Sequence, residues 1–114
     1  MLKTVTTTEL KGLMESGASF ALVNVLAEGR FESEHICGSI NIPLKDIDSD
    51  AGARLGKGER IIVHCSGAGC TASEEACSKL LEMGYTDVAR YVGGMEEWKG
   101  SGGCLDGTLS RKAA

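Results

Sequence analysis

Apolar residues follow two different spacings in turn along this chain, and the alternation predicts helices and strands in sequence. From Thr6, which stands three residues before Glu9 as in a capping box, apolar positions keep to one helical face until Gly17. The run 20–26 is nearly continuously apolar and rich in β-branched residues, and the run 61–63 is similar. Such runs are typical of strands that are buried on both faces of a parallel sheet.

Further segments continue this alternation. They are a short strand over 39–42, a polar stretch of loop and short helix over 45–59, a helix that ends near residue 83, a strand over 88–92 and a short helix around residue 98. Strands that alternate with helices specify an α/β fold, with a central, mainly parallel sheet flanked by helices on both faces. We place one domain over residues 1–104 and a polar C-terminal tail over 105–114.

Composition and charge exclude several classes of function. The 114 residues, 42% hydrophobic and 25% charged, suit one ordinary globular domain. The formal net charge is −4, and the basic residues are scattered, so we expect no nucleic-acid partner. The longest apolar stretch is too short to cross a membrane, and the amino end lacks a signal-peptide pattern. We therefore expect a cytoplasmic protein with no membrane partner.

The chain has an odd number of cysteines, so at least one thiol is predicted to be unpaired. They are Cys37, Cys65, Cys70, Cys77 and Cys104. Their spacings do not match structural zinc sites, and the two histidines, His35 and His64, complete no familiar ligand set. We expect neither a metal nor another cofactor, and Cys37 and Cys104 are left without a role.

Cys65 is the strongest candidate for chemistry. It follows the predicted strand 61–64 directly, and ligands of open parallel sheets bind beyond the carboxyl ends of the strands. Gly67 and Gly69 allow successive backbone N–H groups to turn inward as an anion-binding nest. A helix that starts after such a loop also stabilises a thiolate. The alternative interpretation is that Cys65 is a small buried hydrophobe, as Cys77 on the apolar helix face is expected to be.

Two features oppose an anion site at this loop. Thr71 and Glu74 have capping-box spacing, which predicts that Thr71 occupies one of the free helix N–H groups. Glu74 and Glu75 add negative charge, and no Lys or Arg lies between Cys65 and residue 78 to offset them. We therefore expect backbone dipoles to be the main stabilisation of a thiolate here.

Four stretches of the chain resemble the single-domain rhodanese-like sulfurtransferases, from about residue 4 to residue 102. They are 21–25 with 28–43, then 61–65, 80–85 and 91–98, and they include His-Ile-x-Gly-(small)-Ile-Asn-Ile-Pro and Gly-Gly-x-x-x-Trp. The resemblance implies a central parallel sheet flanked by helices, with Cys65 as the acceptor of sulfane sulfur.

In such enzymes the catalytic thiolate takes sulfur from thiosulfate or a persulfide and passes the outer sulfur to cyanide or another thiol. The resemblance thus implies a small sulfur-containing donor and a thiol acceptor, with a protein persulfide as an alternative partner. It also implies that the loop backbone holds the persulfide anion. The substrate-binding residues are then Ser66, Gly67, Ala68, Gly69 and Thr71.

The chain departs from the family pattern at two places. The usual Asp-x-Arg is replaced by Asn24-Val25-Leu26, which removes both members of a buried charge pair. The usual loop Cys-x-x-Gly-x-Arg is slightly longer here and has Cys70 in place of the basic residue. The longer loop resembles those of rhodanese-like phosphatases and arsenate reductases, but these enzymes clamp oxyanions with an Arg. We therefore expect poor thiosulfate affinity and little phosphatase activity.

Cys70 leaves three functions open. As a second catalytic residue, it would resolve a persulfide on Cys65 by forming a disulfide, or form a redox switch with it. As a packing residue it would take no part. The hypotheses are a sulfurtransferase or persulfide carrier, a non-catalytic rhodanese-like binding module, and a Cys65/Cys70 redox protein that includes oxyanion reduction.

Overall fold

The computed structural model describes residues 2–109, which contain seven strands, five α-helices and a short 3-10 helix (Leu44–Asp46). The strands are β1 (Lys3–Val5), β2 (Ala21–Asn24), β3 (His35–Ile36), β4 (Ile40–Asn41), β5 (Arg60–His64), β6 (Asp87–Tyr91) and β7 (Leu105–Asp106). The helices are α1 (Thr7–Glu15), α2 (Glu28–Ser33), α3 (Ile47–Arg54), α4 (Ala72–Glu82) and α5 (Gly94–Gly100). None of these helices is long and apolar enough to span a membrane.

Five of the strands form one parallel sheet in the order β1-β6-β5-β2-β4. Strand β5 lies at its centre, with Ala21 of β2 opposite Ile61 on one side and Val88 of β6 opposite Ile61 on the other. Because Ile61, Ile62 and Val63 are each 1% exposed or less, β5 is covered on both faces. This arrangement confirms the α/β fold expected from the sequence.

Alternating side chains on β6 show what covers each face. The Tyr91 ring packs edge-on against Trp98 of α5, at 6.3 Å between centroids, and its hydroxyl lies 2.6 Å from Thr7 of α1. The neighbouring Arg90 points to the other face, where its Nε donates to Ser73 of α4 at 2.8 Å. Helices α1 and α5 therefore lie on one face of the sheet and α4 on the other.

Helix α1 begins as the sequence predicts, whereas α2 does not appear in the sequence pattern. The N–H of Glu9 donates to the Thr6 hydroxyl at 3.1 Å, and the N–H of Thr6 donates to the Glu9 carboxylate at 3.0 Å. Together these two bonds form the capping box. Helix α2 lies in the segment 28–34, for which no element was predicted. It has six residues and none is buried, so no apolar periodicity marks it.

Residues 105 and 106 continue the fold. Leu105 and Asp106 form β7, which pairs antiparallel with β3, whereas the sequence predicts a polar tail from residue 105. A disulfide joins Cys37 to Cys104 beside this ribbon, with Cα atoms 5.5 Å apart, so the two cysteines without a predicted role pair with each other. A two-residue strand is too short to show a hydrophobic pattern. Residues 110–114 of the predicted tail lie outside the described residues.

Candidate active site

Strand β5 brings Cys65 to the carboxyl edge of the sheet, at its centre. Cys65 follows His64 directly and is 1% exposed. The His64 ring points to the other face, 6.3 Å from the Tyr91 ring, and its Nδ1 donates to the Cys65 carbonyl at 3.2 Å. Burial lowers the pKa of His64 to about 4, against a smaller upward effect of that hydrogen bond. His64 is therefore neutral at neutral pH and does not face the thiol, as its alternation on the strand predicts.

Helix α5 holds the first turn of the Cys65 loop through the backbone. The N–H of Met95 donates to the Cys65 carbonyl at 3.0 Å, and the N–H of Glu96 donates to the Ser66 carbonyl at 2.8 Å. Gly94 makes this approach possible, because a Cβ atom there would lie 2.6 Å from the Cys65 carbonyl oxygen. Its φ of +61° also favours glycine. The Gly-Gly motif thus determines how closely α5 meets the loop.

Helix α4 provides the hydroxyl group beside the candidate nucleophile. The Cys65 Sγ lies 3.2 Å from the Ser73 Oγ and 3.5 Å from the Cys70 carbonyl oxygen. Ser73 is 1% exposed, so this contact is shielded from water. The sequence analysis missed Ser73, although it lies in the first turn of the helix that follows the loop.

The prediction of a capping box at the start of α4 is wrong. Thr71 is the N-cap residue, but its backbone is helical, at φ −91° and ψ −7°, and its side chain makes no capping bond. An N-cap hydroxyl reaches the helix N–H groups from an extended backbone, which Thr71 does not have. Glu74 accordingly faces Arg90, with 3.7 Å between Oε2 and Nη1. The Thr71 hydroxyl therefore does not occupy the N–H groups of this helix.

A cation lies beneath the loop, besides the backbone dipoles that are expected to be the main stabilisation of a thiolate. Arg90 of β6 donates from Nε to the Ser73 Oγ at 2.8 Å. Its Nη2 donates to the carbonyl oxygens of Cys70, at 2.8 Å, and Ala68, at 3.4 Å. The side chain is only 11% exposed. Arg90 lies outside the loop segment and therefore does not appear among the residues between Cys65 and residue 78. The alternation of side chains along β6 places residue 90 on the face of the sheet that α4 covers.

Cys70 is the thiol of the loop that ionises readily. Burial favours its neutral form and raises its pKa, but hydrogen bonds outweigh this effect and lower the pKa of Cys70 to about 7. In order of size, these bonds come from the Cys65 thiol, the backbone of Ala72, and the side chain and backbone of Ser66. About half of a thiol with this pKa is thiolate at neutral pH, which is the form that attacks sulfur.

The predicted substrate-binding residues take different positions around the loop. Ser66 is half-buried and Gly67 is buried, whereas Ala68, Gly69 and Thr71 are exposed. Of these five residues, Ser66 contacts Cys70, and Ala68 accepts a hydrogen bond from Arg90. The loop therefore brings Cys65, Ser66 and Cys70 together, with Gly69 and Thr71 turned outward. Cys77 is fully buried, and burial raises its pKa to about 12, as expected for a core residue.

The mouth of the loop carries acidic side chains and opens onto two clefts. The Glu96 carboxylate lies against Gly67, in the space that a Cβ atom at this position would take. On the Ser66 side, a cleft of about 440 Å³ is lined by residues that include Arg30, Glu96 and Lys99. On the Ala68 side, a cleft of about 390 Å³ is lined largely by residues of β1 and α1. Both clefts are large enough for a small thiol compound.

Comparison with known families identifies the fold. A family model described as "Rhodanese-like domain" matches residues 6–101. The chain belongs to the rhodanese-like family. This result confirms the family suggested by the sequence motifs, and the solved structures confirm the fold. The rhodanese-like domain of the Alr3790 protein from Anabaena superimposes with a TM-score of 0.87 at 26% identity, covering 96% of this chain and 83% of that one. The BH2092 protein from Bacillus halodurans superimposes with a TM-score of 0.88 at 29% identity, covering 94% of this chain and 78% of that one.

Curated relatives of this rhodanese-like protein include sulfurtransferases. The thiosulfate sulfurtransferase PspE of Escherichia coli is 32% identical over 96 residues, which cover 76% of this chain and 89% of PspE. A 16.5 kDa protein of Synechococcus elongatus is 37% identical over 84 residues, or 69% of this chain. The chain spans 56% of the length of that protein. The family is therefore one of sulfur transfer, with sulfur donors and acceptors as its substrates.

Proposed function

We propose that this rhodanese-like protein is a sulfurtransferase or persulfide carrier that holds sulfane sulfur on Cys65. The supporting observation is the position of the Cys65 sulfur, at the carboxyl end of the central strand and 3.2 Å from the Ser73 hydroxyl. The backbone of the loop and of α5 fixes this position. Cys65 therefore has both the place and the hydrogen-bond partner that a covalent nucleophile needs.

The proposed reaction transfers one sulfur atom in two displacements. The Cys65 thiolate attacks the outer sulfur of the donor, the S–S bond of the donor breaks, and sulfite or a thiolate leaves with the electron pair. Cys65 then carries the persulfide. An acceptor thiolate or cyanide attacks the outer sulfur, and Cys65 leaves as thiolate. No net oxidation occurs, so the cycle needs no further reactant.

The charges at the site favour a persulfide donor over thiosulfate. The nearby cation, Arg90, already donates to Ser73 and to two loop carbonyls, so its guanidinium is not free to bind the oxygens of a thiosulfate ion. The Glu96 carboxylate lies at the loop and repels a dianion. A low-molecular-weight or protein-bound persulfide carries less charge. We therefore propose a thiol persulfide as the preferred donor.

Sulfur transfer from a cysteine persulfide to a thiol acceptor tests this function. Cys65→Ser is expected to reduce turnover at least about a thousandfold, because the covalent route is removed. Cys77→Ala is the matched control, since Cys77 is a buried cysteine of α4, the helix that follows the loop. This variant is expected to retain turnover within a few fold of the wild-type value. Comparable turnover in Cys65→Ser and Cys77→Ala would exclude Cys65 as the sulfur-carrying residue.

A second function, thiol redox chemistry between Cys65 and Cys70, is favoured by one observation. The Cys65 Sγ lies 3.5 Å from the Cys70 carbonyl, and the Cys65 thiol forms a hydrogen bond with the Cys70 side chain, so the two sulfur atoms lie within reach of each other. The Cys70 thiolate could attack the inner sulfur of the Cys65 persulfide. Hydrosulfide would then leave with the electron pair, and a Cys65–Cys70 disulfide would form. A dithiol reductant would restore both thiols.

Sulfide release after loading with a persulfide donor tests the role of Cys70. The wild type is expected to release sulfide and to show a Cys65–Cys70 linkage in a non-reducing peptide map. Cys70→Ser is expected to keep the persulfide at least about tenfold longer, because the resolving thiolate is absent. Equal persulfide lifetimes, with both thiols free in the wild type, would make Cys70 a packing residue.

A further inference from the structure

We propose that Arg90 and Ser73 form a relay that stabilises negative charge on the Cys65 sulfur. Arg90, on strand β6, is then a positioning residue that substitutes for the cation missing from the loop. The inference rests on the proposed function, in which Cys65 attacks as a thiolate and leaves as one. Neither residue lies in the stretches of sequence that carry the resemblance to the family.

The relay consists of two consecutive hydrogen bonds in a region closed to water. The Arg90 Nε donates to the Ser73 Oγ at 2.8 Å, and that oxygen lies 3.2 Å from the Cys65 Sγ. Cys65 and Ser73 are each 1% exposed, and the Arg90 side chain is 11% exposed. Hydrogen bonds of charged groups are stronger at such sites than in water.

The chemistry of the three side chains sets the direction of the relay. A guanidinium has only donors, so the Ser73 oxygen accepts from Arg90 in every state of the thiol. The single Ser73 proton remains available. When Cys65 is a thiol, its S–H also donates to the Ser73 oxygen. When Cys65 is a thiolate, the Ser73 O–H turns and donates to the sulfur, and the guanidinium charge strengthens that bond.

The second arm of Arg90 fixes the far side of the loop. Its Nη2 donates to the carbonyl oxygens of Cys70, at 2.8 Å, and Ala68, at 3.4 Å. The Cys70 carbonyl is also the oxygen that lies 3.5 Å from the Cys65 Sγ. The same guanidinium therefore supports two of the groups that contact the sulfur, the Ser73 hydroxyl and the Cys70 carbonyl. Because these donors are used inside the protein, Arg90 acts through Ser73 and the loop rather than on the substrate.

The other titratable groups around Cys65 do not take over this role. Glu74 of α4 and Glu96 of α5 are acidic, and Cys70 and Cys77 are thiols. His64 points to the opposite face of the sheet. Among the described residues, Arg90 is thus the cation with hydrogen bonds to the groups that contact this sulfur.

Alkylation of Cys65 by iodoacetamide tests the relay without any sulfur donor, so its outcome is independent of the transfer assay. Trypsin releases residues 61–79 as one peptide, and fragment-ion spectra locate the label on Cys65. Ser73→Ala is expected to slow alkylation at pH 7 about tenfold or more, as for the loss of one charged hydrogen bond. At pH 10, where hydroxide deprotonates thiols in general, the rate of Ser73→Ala is expected to lie within about twofold of the wild-type rate.

Arg90→Gln is expected to slow alkylation at pH 7 at least to a similar extent, because it removes both arms. The double variant is expected to be slowed by less than the product of the two single effects, because Arg90 acts in part through Ser73. The matched controls are Ser78→Ala, an exposed serine of α4, and Arg60→Gln, an exposed arginine of β5 whose replacement extends the tryptic peptide to residues 58–79. Both are expected to match the wild type. An unchanged rate in Ser73→Ala at pH 7, or equal slowing at pH 7 and pH 10, would overturn the relay.

Discussion

Replacing Gly94 by alanine is expected to reduce sulfur transfer at least about a hundredfold, although no reactive group is removed. The new Cβ would lie 2.6 Å from the Cys65 carbonyl oxygen, 2.7 Å from the Gly67 nitrogen and 2.8 Å from the Ser66 carbonyl carbon. All three are backbone atoms and cannot rotate away. The φ of +61° adds strain for a residue with a side chain.

The alanine therefore forces α5 away from the loop. The hydrogen bonds that Met95 and Glu96 donate to the loop carbonyls, at 3.0 and 2.8 Å, would lengthen or break. Cys65 would lose its fixed position, and an error of about 1 Å in a reacting atom can cost a factor of about one hundred in rate.

Gly100→Ala is the matched control for this substitution. Gly100 ends the same helix, and nothing lies within 4 Å of the position of its Cβ. Turnover with a persulfide donor and thermal unfolding should be measured for both variants. Gly100→Ala is expected to behave as the wild type. A folded Gly94→Ala protein with more than about half of the wild-type turnover would show that the approach of α5 does not position the loop.

Breaking the Cys37–Cys104 disulfide is expected to lower the free energy of unfolding by about 4 kcal/mol. The bond joins residues 67 positions apart, and its main effect is to restrict the unfolded chain. It also ties β7 to β3, a two-residue ribbon with few other restraints. The effect should therefore be larger than that of most single substitutions in the chain.

Urea unfolding of the wild type and of a Cys37→Ser, Cys104→Ser double variant measures this effect. Cys70→Ser is the control, since Cys70 is a free and half-buried cysteine. The double variant is expected to unfold at a lower urea concentration, and the control close to the wild type. Equal midpoints for the double variant and the oxidised wild type would show that the disulfide does not stabilise the fold.

This disulfide bears on where the protein works. Disulfides persist in oxidising compartments, whereas cytosolic thiols are normally kept reduced. The cytoplasmic location stays a prediction from the sequence, and the Cys37–Cys104 pair is at odds with it.

Elements with a local pattern were predictable from the sequence. The capping residues Thr6 and Glu9 predict α1, and the apolar runs predict β2 and β5, because each of these patterns lies within one helical turn or one strand. The end of β5 in turn predicts where Cys65 lies in the sheet. The local pattern of β5 is thus sufficient to predict the position of the candidate nucleophile.

Contacts between distant segments were not predictable in the same way. Arg90 reaches the loop from another strand, and the Cys37–Cys104 pair connects segments far apart in the chain. The Thr71 cap failed because spacing alone does not determine whether the backbone is extended or helical. These features depend on tertiary structure, and they include the groups that surround the Cys65 sulfur.

The intact mass of the protein before and after incubation with a persulfide donor, and separately with thiosulfate, tests the central claim most directly. The account predicts a gain of one sulfur atom with the persulfide donor, less with thiosulfate, and none in Cys65→Ser. Cys77→Ala should gain the sulfur as the wild type does. If neither donor adds sulfur while iodoacetamide labels Cys65, then Cys65 is accessible but does not carry sulfur, and the proposed function is wrong.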